Sequence, residues 1–287
     1  MLGKLLKYEF KVTRRTLIPL LIAVPLLAFL AALGFMLDSK VFFSSEITAP
    51  STVLVSLVSV SAVLMCIGVV AASTVVLFYL CYRFYKNFFG DEGYLAFTLP
   101  VSSDAHLLCK IISSTVWTLI TLAVMGISIF CLLCIALAGD GKFFDVAVFN
   151  DVWNAFAELF SILAEAFGTG NVVGFCLEGG LLALLSVPAE FCALFLSVTV
   201  GSQIAKKHKL IASVGVFFGI NSVLSLFSTL VFSLGVTFLT LPGQEFVDSL
   251  APLFIHGMLL LTLLFTAAEG LVCYLVDRRL LKVPELS

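Results

Sequence analysis

Three carboxylic acids stand in stretches of sequence that are otherwise uncharged. Glu190 follows Pro188 in one long apolar run, Glu178 lies at the edge of the same run, and Glu269 is alone in another. A carboxylate at membrane depth costs on the order of 2.5–3.5 kcal/mol, so it normally faces a cavity or a partner. Two chemistries fit such a group. It lines a transport path or holds a transferable proton, or it stays protonated or hydrogen-bonded and joins helices. Asp277 and Arg278 follow Glu269 within about two helical turns, which suits Glu269 to the joining role. Glu190 fits either. Glu190 and Glu269 are therefore the candidate path residues, and a catalytic cluster within the membrane would need both of them beside His256.

Other chemistries lack their pattern. His106, His208 and His256 are scattered and offer no metal-ligand spacing. The serines form no recognisable Ser–His–Asp arrangement and suit helix packing. Cys131 and Cys134 make a C-x-x-C, but apolar residues flank them and no second pair is near, which predicts small residues packed between helices. All eight cysteines fall in or beside apolar runs, so no disulfide framework is expected. No G-x-x-x-x-G-K-[ST] occurs, so the chain carries no nucleotide-binding loop of that kind, and no metal or cofactor is expected in it.

The elements that position these residues follow from composition. Of 287 residues, 61% are apolar and 12% charged, about half the charge of a soluble domain. Lipid must be the solvent for most of the chain. Six apolar runs, near 17–37, 51–82, 107–137, 172–204, 210–239 and 253–276, are each long enough to cross about 30 Å of hydrocarbon as a helix. Several approach 30 residues and must tilt, protrude or turn back, so seven or more embedded segments stay open. The first run is too long for a signal-peptide core and reads as a retained span. Fourteen of the sixteen Lys and Arg residues fall in segments 1–16, 83–110, 205–209 and 277–287, leaving only Lys40 and Lys142 elsewhere. This sorting predicts an all-α polytopic bundle of about six transmembrane helices with both termini cytoplasmic. No polar segment is long enough for a soluble domain.

Two amphipathic segments flank the spans. Residues 2–15 carry Leu2, Leu5, Leu6 and Phe10 at helical spacing, with Lys4, Lys7, Lys11 and Arg14 on other faces. A helix lying in the inner interface is predicted, its lysines near anionic head groups. Residues 143–167 place Phe149, Val152, Trp153, Phe156, Phe160, Leu163 and Phe167 in one stripe opposite Asp151, Asn154, Glu158 and Glu165. That predicts an external helix on the outer leaflet or capping the bundle. Gly215 and Gly219 form a G-x-x-x-G, which permits close helix approach within one subunit or between two.

The loop after the second run is the most informative. It reads Arg83-Phe84-Tyr85-Lys86-Asn87-Phe88-Phe89-Gly90-Asp91-Glu92-Gly93-Tyr94, and continues to Pro100 and Ser102. Gly90–Gly93 reads as a tight turn, Pro100 interrupts helix, and Asp104 is placed to cap the third span. So many aromatic residues suit either a protein partner or an interfacial belt.

The block RFYKNFFGDEGYLAFTLPVS resembles a signature of ABC-2-type transporter permeases of Gram-positive gut bacteria, and the blocks KLLKYEFKVTRRTLIPL and YLVDRRLLKVPEL are similar to that group's ends. The resemblance implies one transmembrane permease domain, 1–287, in a bacterial plasma membrane, with an interfacial helix at 1–16 and a cytoplasmic coupling loop at 83–106, while the amphipathic pattern places an external helix within 140–170. It implies a second permease subunit, as a homodimer or heterodimer, and a cytoplasmic ABC ATPase that supplies ATP. Phe84, Tyr85, Lys86, Phe88, Gly90, Asp91, Glu92, Gly93 and Tyr94 would form the ATPase-coupling element. The family carries no catalytic residues in this subunit, so transport of an unidentified substrate is expected rather than enzymatic activity. An ion-coupled secondary transporter or channel, or a non-transporting membrane partner protein, are the alternatives. Lipid is the third partner, and no basic domain points to nucleic acid.

Overall fold

Backbone amides in hydrocarbon find no water, so each apolar run must satisfy its own hydrogen bonds. The computed structural model describes residues 2–42, 49–90, 93, 103–137, 146–205, 208–240 and 244–282, and its elements are helices with no strand among the described residues. They are α1 (Leu2–Phe42), α2 (Ala49–Phe89), α3 (Ser103–Leu137), α4 (Val146–Phe167), α5 (Thr169–Ile204), α6 (Lys209–Thr240) and α7 (Gln244–Lys282). Six are long and apolar enough to cross a membrane: Leu2–Leu30, Ile67–Phe89, Ser103–Cys131, Thr169–Ile204, Ile211–Leu234 and Ala251–Leu281. The chain is an all-α, multi-pass membrane protein, and each of these six spans overlaps one of the six apolar runs.

Two boundaries differ from expectation. The N-terminal amphipathic segment is no separate helix, because α1 continues from Leu2 through the first span. No glycine separates Lys4 from Leu33, and although Pro19 and Pro25 lie inside the helix and lack the amides that would donate to the Arg15 and Leu21 carbonyls, the remaining backbone bonds carry it through. Its buried face is Glu9, Thr13, Leu17, Leu21, Val24 and Ala28, a three-and-four spacing, rather than the predicted Leu2–Phe10 stripe. Glu9 is a buried acid that the amphipathic reading missed. The buried Thr13 hydroxyl is satisfied by donating to the Glu9 carbonyl at 2.8 Å. Ile18, Ile22, Leu26 and Phe29 point outward, as lipid contact requires. The second difference is that α2 runs past Tyr82 to Phe89, so the first part of the expected coupling loop is helix.

The chain divides into two units. The first comprises Met1–Leu6, Leu80–Thr115 and Phe160–Ser287, and the second Lys7–Tyr79 and Val116–Leu159. In the second, Phe10 packs on Trp117 with ring centroids 6.1 Å apart, and Tyr79 donates to the Thr16 hydroxyl at 3.0 Å. Leu27 lies where a Cβ on Gly68 would sit, 2.8 Å away, so α1 and α2 meet closely there.

The α4 stripe is exposed: Phe149, Trp153, Phe156, Phe160 and Leu163 all face outward, and Val152 alone is buried. An apolar face this exposed suits contact with lipid. A checkable result follows. The chain has two tryptophans, and Trp117 is buried. In the Trp117→Phe variant in proteoliposomes, Trp153 fluorescence is expected to be quenched by lipids brominated near the head group. Quenching by aqueous iodide alone would place the helix in water.

Candidate functional site

The first unit is organised around α5. Its half from Ala189 onward is buried almost all round, with Phe191, Cys192, Ala193, Leu194, Phe195, Leu196, Ser197, Val198 and Thr199 in an unbroken buried run. A helix with no exposed face lies at the centre of its surroundings. Three elements of the same unit close on it. Phe84 of α2, fully buried, stacks on Phe195 with centroids 4.1 Å apart and rings within 10° of parallel, and Phe88 packs against Phe84 at 4.8 Å. At Gly201 the backbone of α6 comes so near that an added Cβ would sit 2.4 Å from Ser213 Cα. At Ala189 the α7 backbone approaches through Gly270, whose added Cβ would lie 3.1 Å from Ala189 Cα.

The Gly90–Gly93 turn caps α2. The Gly93 amide donates to the Gly90 carbonyl at 2.9 Å, the bond of a tight turn. A Cβ on Gly93 would fall 2.6 Å from the Phe88 carbonyl oxygen, and one on Gly90 2.7 Å from that of Lys86. The chain folds back so tightly that neither position has space for a side chain. Of the coupling candidates, Phe84, Phe88 and Gly93 are buried, Tyr85 and Gly90 are half-buried, and Lys86 is exposed. Phe84 and Phe88 are thus root residues of the segment, not surface contacts as a loop reading has them, because the continuing helix turns them inward. Asp91, Glu92 and Tyr94 lie outside the described residues.

The candidate path residues come together between α5 and α7. His256 meets Glu178, Gly270 meets Ala189, and Asp277 lies alongside Thr199. The offset between partners stays near eighty residues throughout, so the two helices run parallel in one register. Gly270 and Ala189 are the direct neighbours of Glu269 and Glu190, so the closest crossing sets the two carboxyl-bearing residues beside each other. Glu269 lies within reach of the Glu190 charge. Cys273 lies within reach of Glu190, Glu269 and Asp277 together.

Asp277 is the residue the sequence reading undervalued. It was expected in the inner segment after the last span, yet it is helical and only 1% exposed. Among the described residues neither carboxyl oxygen has a hydrogen bond of good geometry; the Thr199 hydroxyl lies beside the carboxyl, but it donates to the Phe195 carbonyl at 3.0 Å. The signal was present in the spacing. Thr262, Thr266, Glu269, Cys273 and Asp277 fall within an arc of about 80° on an ideal helix, one polar stripe on an otherwise apolar element.

The outer pair is geometrically separate. His256 Nδ1 donates to both Glu178 oxygens, at 2.9 and 3.0 Å. Its ring packs on Phe175 at 4.4 Å and fills the space above Gly174. Thirteen residues separate His256 from Glu269 along α7, roughly 20 Å of helix rise. A catalytic cluster of Glu190, Glu269 and His256 is therefore excluded, because a rigid helix holds the imidazole at a different depth.

Three further expectations change. Asp104 sits inside the first turn of α3 rather than preceding it, and its two oxygens receive Arg278 Nε and an Arg278 terminal amine, each at 2.8 Å. This fork ties the start of α3 to the end of α7. Gly215 and Gly219 have no atom within contact distance of an added Cβ, so the G-x-x-x-G makes no close approach among the described residues. Cys131 is exposed instead of packed between helices, because apolar side chains gain no more from a helix neighbour than from lipid. Cys134 has no described side chain. Comparison with known family models, with curated proteins and with solved structures gave no match for this chain, so its membership in a family is not shown by them.

Proposed function

We propose that this chain is the membrane-spanning permease subunit of an ABC-type exporter in a bacterial plasma membrane. It moves an unidentified substrate with ATP hydrolysed by a separate cytoplasmic ATPase, and it pairs with a second permease subunit. The observation that carries the reading is the mounting of the α2 end. The aromatic segment with the Gly90–Gly93 turn lies in a stretch that the positive-inside pattern assigns to the cytoplasm. It is rooted through Phe84 on Phe195 of the central helix α5. Tyr85 and Lys86 lie on the same helix as Phe84, so a push on them would act on α5 through that stacked pair. That is the mechanical requirement for a subunit driven from outside the membrane.

The test is affinity capture of the tagged full chain from native membranes. An ATP-binding-cassette ATPase is expected to co-purify, the purified chain alone is expected to hydrolyse no ATP, and Tyr85→Ala with Lys86→Ala is expected to weaken the association while leaving the fold intact. A Lys86→Cys residue reached by impermeant maleimide from the cell exterior sinks the reading, because no cytoplasmic motor contacts it there.

A second reading draws on the Glu190–Glu269 crossing: an ion-coupled transporter uses buried acids at mid-membrane. Substrate movement that follows a pH gradient in ATP-free proteoliposomes supports it over the exporter.

A further inference from the structure

Among the described residues, the α5–α7 seam contains three acids and neither helix sets a cation beside them. α5 has no Lys or Arg, and the cations of α7 are confined to Arg278, Arg279 and Lys282 at its end. Arg278 is committed to Asp104, and Arg279 is exposed. The groups around the acids are Cys273 and Tyr274 on α7, Cys192 on α5, Cys81 of α2 beside Glu190, and the Asp104–Arg278 bridge at the start of α3. Further along α3, Lys110 acts on His106. An unpaired buried charge is among the most expensive features a fold can hold. Two carboxylates brought together at membrane depth repel as well. Asp277 is the independent geometric sign: it is 1% exposed, on the same stripe as Glu269, and among the described residues neither of its oxygens accepts a well-formed hydrogen bond.

We propose that Glu190, Glu269 and Asp277 form a proton-binding seam between α5 and α7, in which the neighbouring Glu190 and Glu269 hold at least one proton between them and the enclosed Asp277 holds another. A proton is the ligand because Asp277 is enclosed too completely to admit anything larger, while Glu190 and Glu269 are only half-buried and open to exchange. The consequence is a protein that takes up protons as it folds. Its stability therefore falls as pH rises through the range in which the seam loses them. This is independent of the exporter reading, and its test uses no ATP.

The test uses the full chain in nanodiscs and the hydrophobic reagent N,N′-dicyclohexylcarbodiimide. The reagent reacts with a protonated carboxyl. The acid oxygen bonds to the carbodiimide carbon, the proton moves to nitrogen, and nothing leaves, so one intact reagent is added. Mass mapping at about pH 6 and about pH 9 is expected to find the reagent on Glu190 or Glu269, with labelling at least about tenfold lower at the higher pH. The enclosed Asp277 is read through stability. The Asp277→Asn protein, whose amide imitates the neutral acid, is expected to fold and to lose less melting temperature than wild type between those pH values. Any one of three results overturns the proposal: no labelling at either pH, labelling unchanged by pH, or labelling blocked at constant pH by sodium, potassium or calcium, which would make the seam a metal-cation site. An Asp277→Asn protein that unfolds, or keeps the wild-type pH slope, overturns the Asp277 part.

Discussion

Gly201→Ala is expected to disrupt the first unit more than any other single methyl addition among its glycines. The new Cβ would lie 2.4 Å from Ser213 Cα and 2.5 Å from Ser213 N. Both are backbone atoms, so no rotamer change relieves the clash, and α5 and α6 must move apart. Separation would also weaken the contact of the Ser213 hydroxyl with the Val198 carbonyl, already long at 3.5 Å. Overpacking costs about 1–3 kcal/mol where side chains can yield, and here the cost is expected at or above the upper end. Gly180→Ala and Gly215→Ala are the internal controls, since their added methyls meet nothing within 4 Å. They are expected to be neutral or to stabilise by up to about 1 kcal/mol through helix propensity. Size-exclusion profiles and melting temperatures of the three purified variants in one detergent decide the matter. Equal behaviour of Gly201→Ala and Gly215→Ala would mean that the α5–α6 crossing is not as close as described.

The second large effect is expected from Phe84→Ala. Phe84 is fully buried, stacked on Phe195 and packed against Phe88. Emptying such a site costs about 3–5 kcal/mol in a water-soluble core. In a lipid-embedded protein the transfer contribution shrinks, because lipid solvates an exposed ring well, so a loss of about 3 kcal/mol is expected, mostly from lost packing. The functional consequence is sharper than the thermal one. If the exporter proposal holds, removal of this root is expected to uncouple substrate movement from ATP hydrolysis while ATPase association survives. Phe84→Leu keeps part of the volume and is expected to fall between. If Phe84→Ala melts as wild type does, the stacked pair is not a structural root, and the coupling argument loses its lever.

Legibility varied from element to element for physical reasons. The helix over 84–89 was hidden because its aromatic residues suit a partner surface as well as a core, and only the presence of Phe195 opposite Phe84 separates the two. The Gly90–Gly93 turn was readable because two glycines bracketing two acidic residues permit few other conformations. Glu190 and Glu269 were recognisable one at a time, since an acid in an apolar run is conspicuous. Their meeting was not, because seventy-nine positions separate them and nothing in either run names the other. Asp277 was misplaced because a charge at the end of an apolar run ordinarily marks the interface. Its burial comes from the side of α7 on which the helix turn happens to place it.

What the sequence determined by itself is the existence, order and approximate limits of six membrane-crossing helices, and the side to which the basic segments are drawn. Hydrocarbon accepts little but helix, and charge is sorted by the membrane, so both follow from local composition. Only the tertiary structure decided which helices are neighbours and in what register. Lipid and protein are nearly equivalent surroundings for a Leu or Phe side chain, so an apolar helix shows almost no preference for the face it buries. The parallel register of α5 and α7, the burial of Asp277 and the open face at Gly215 and Gly219 follow from close backbone approaches at Ala189, Gly201 and Gly270, which become visible only when the helices are set side by side.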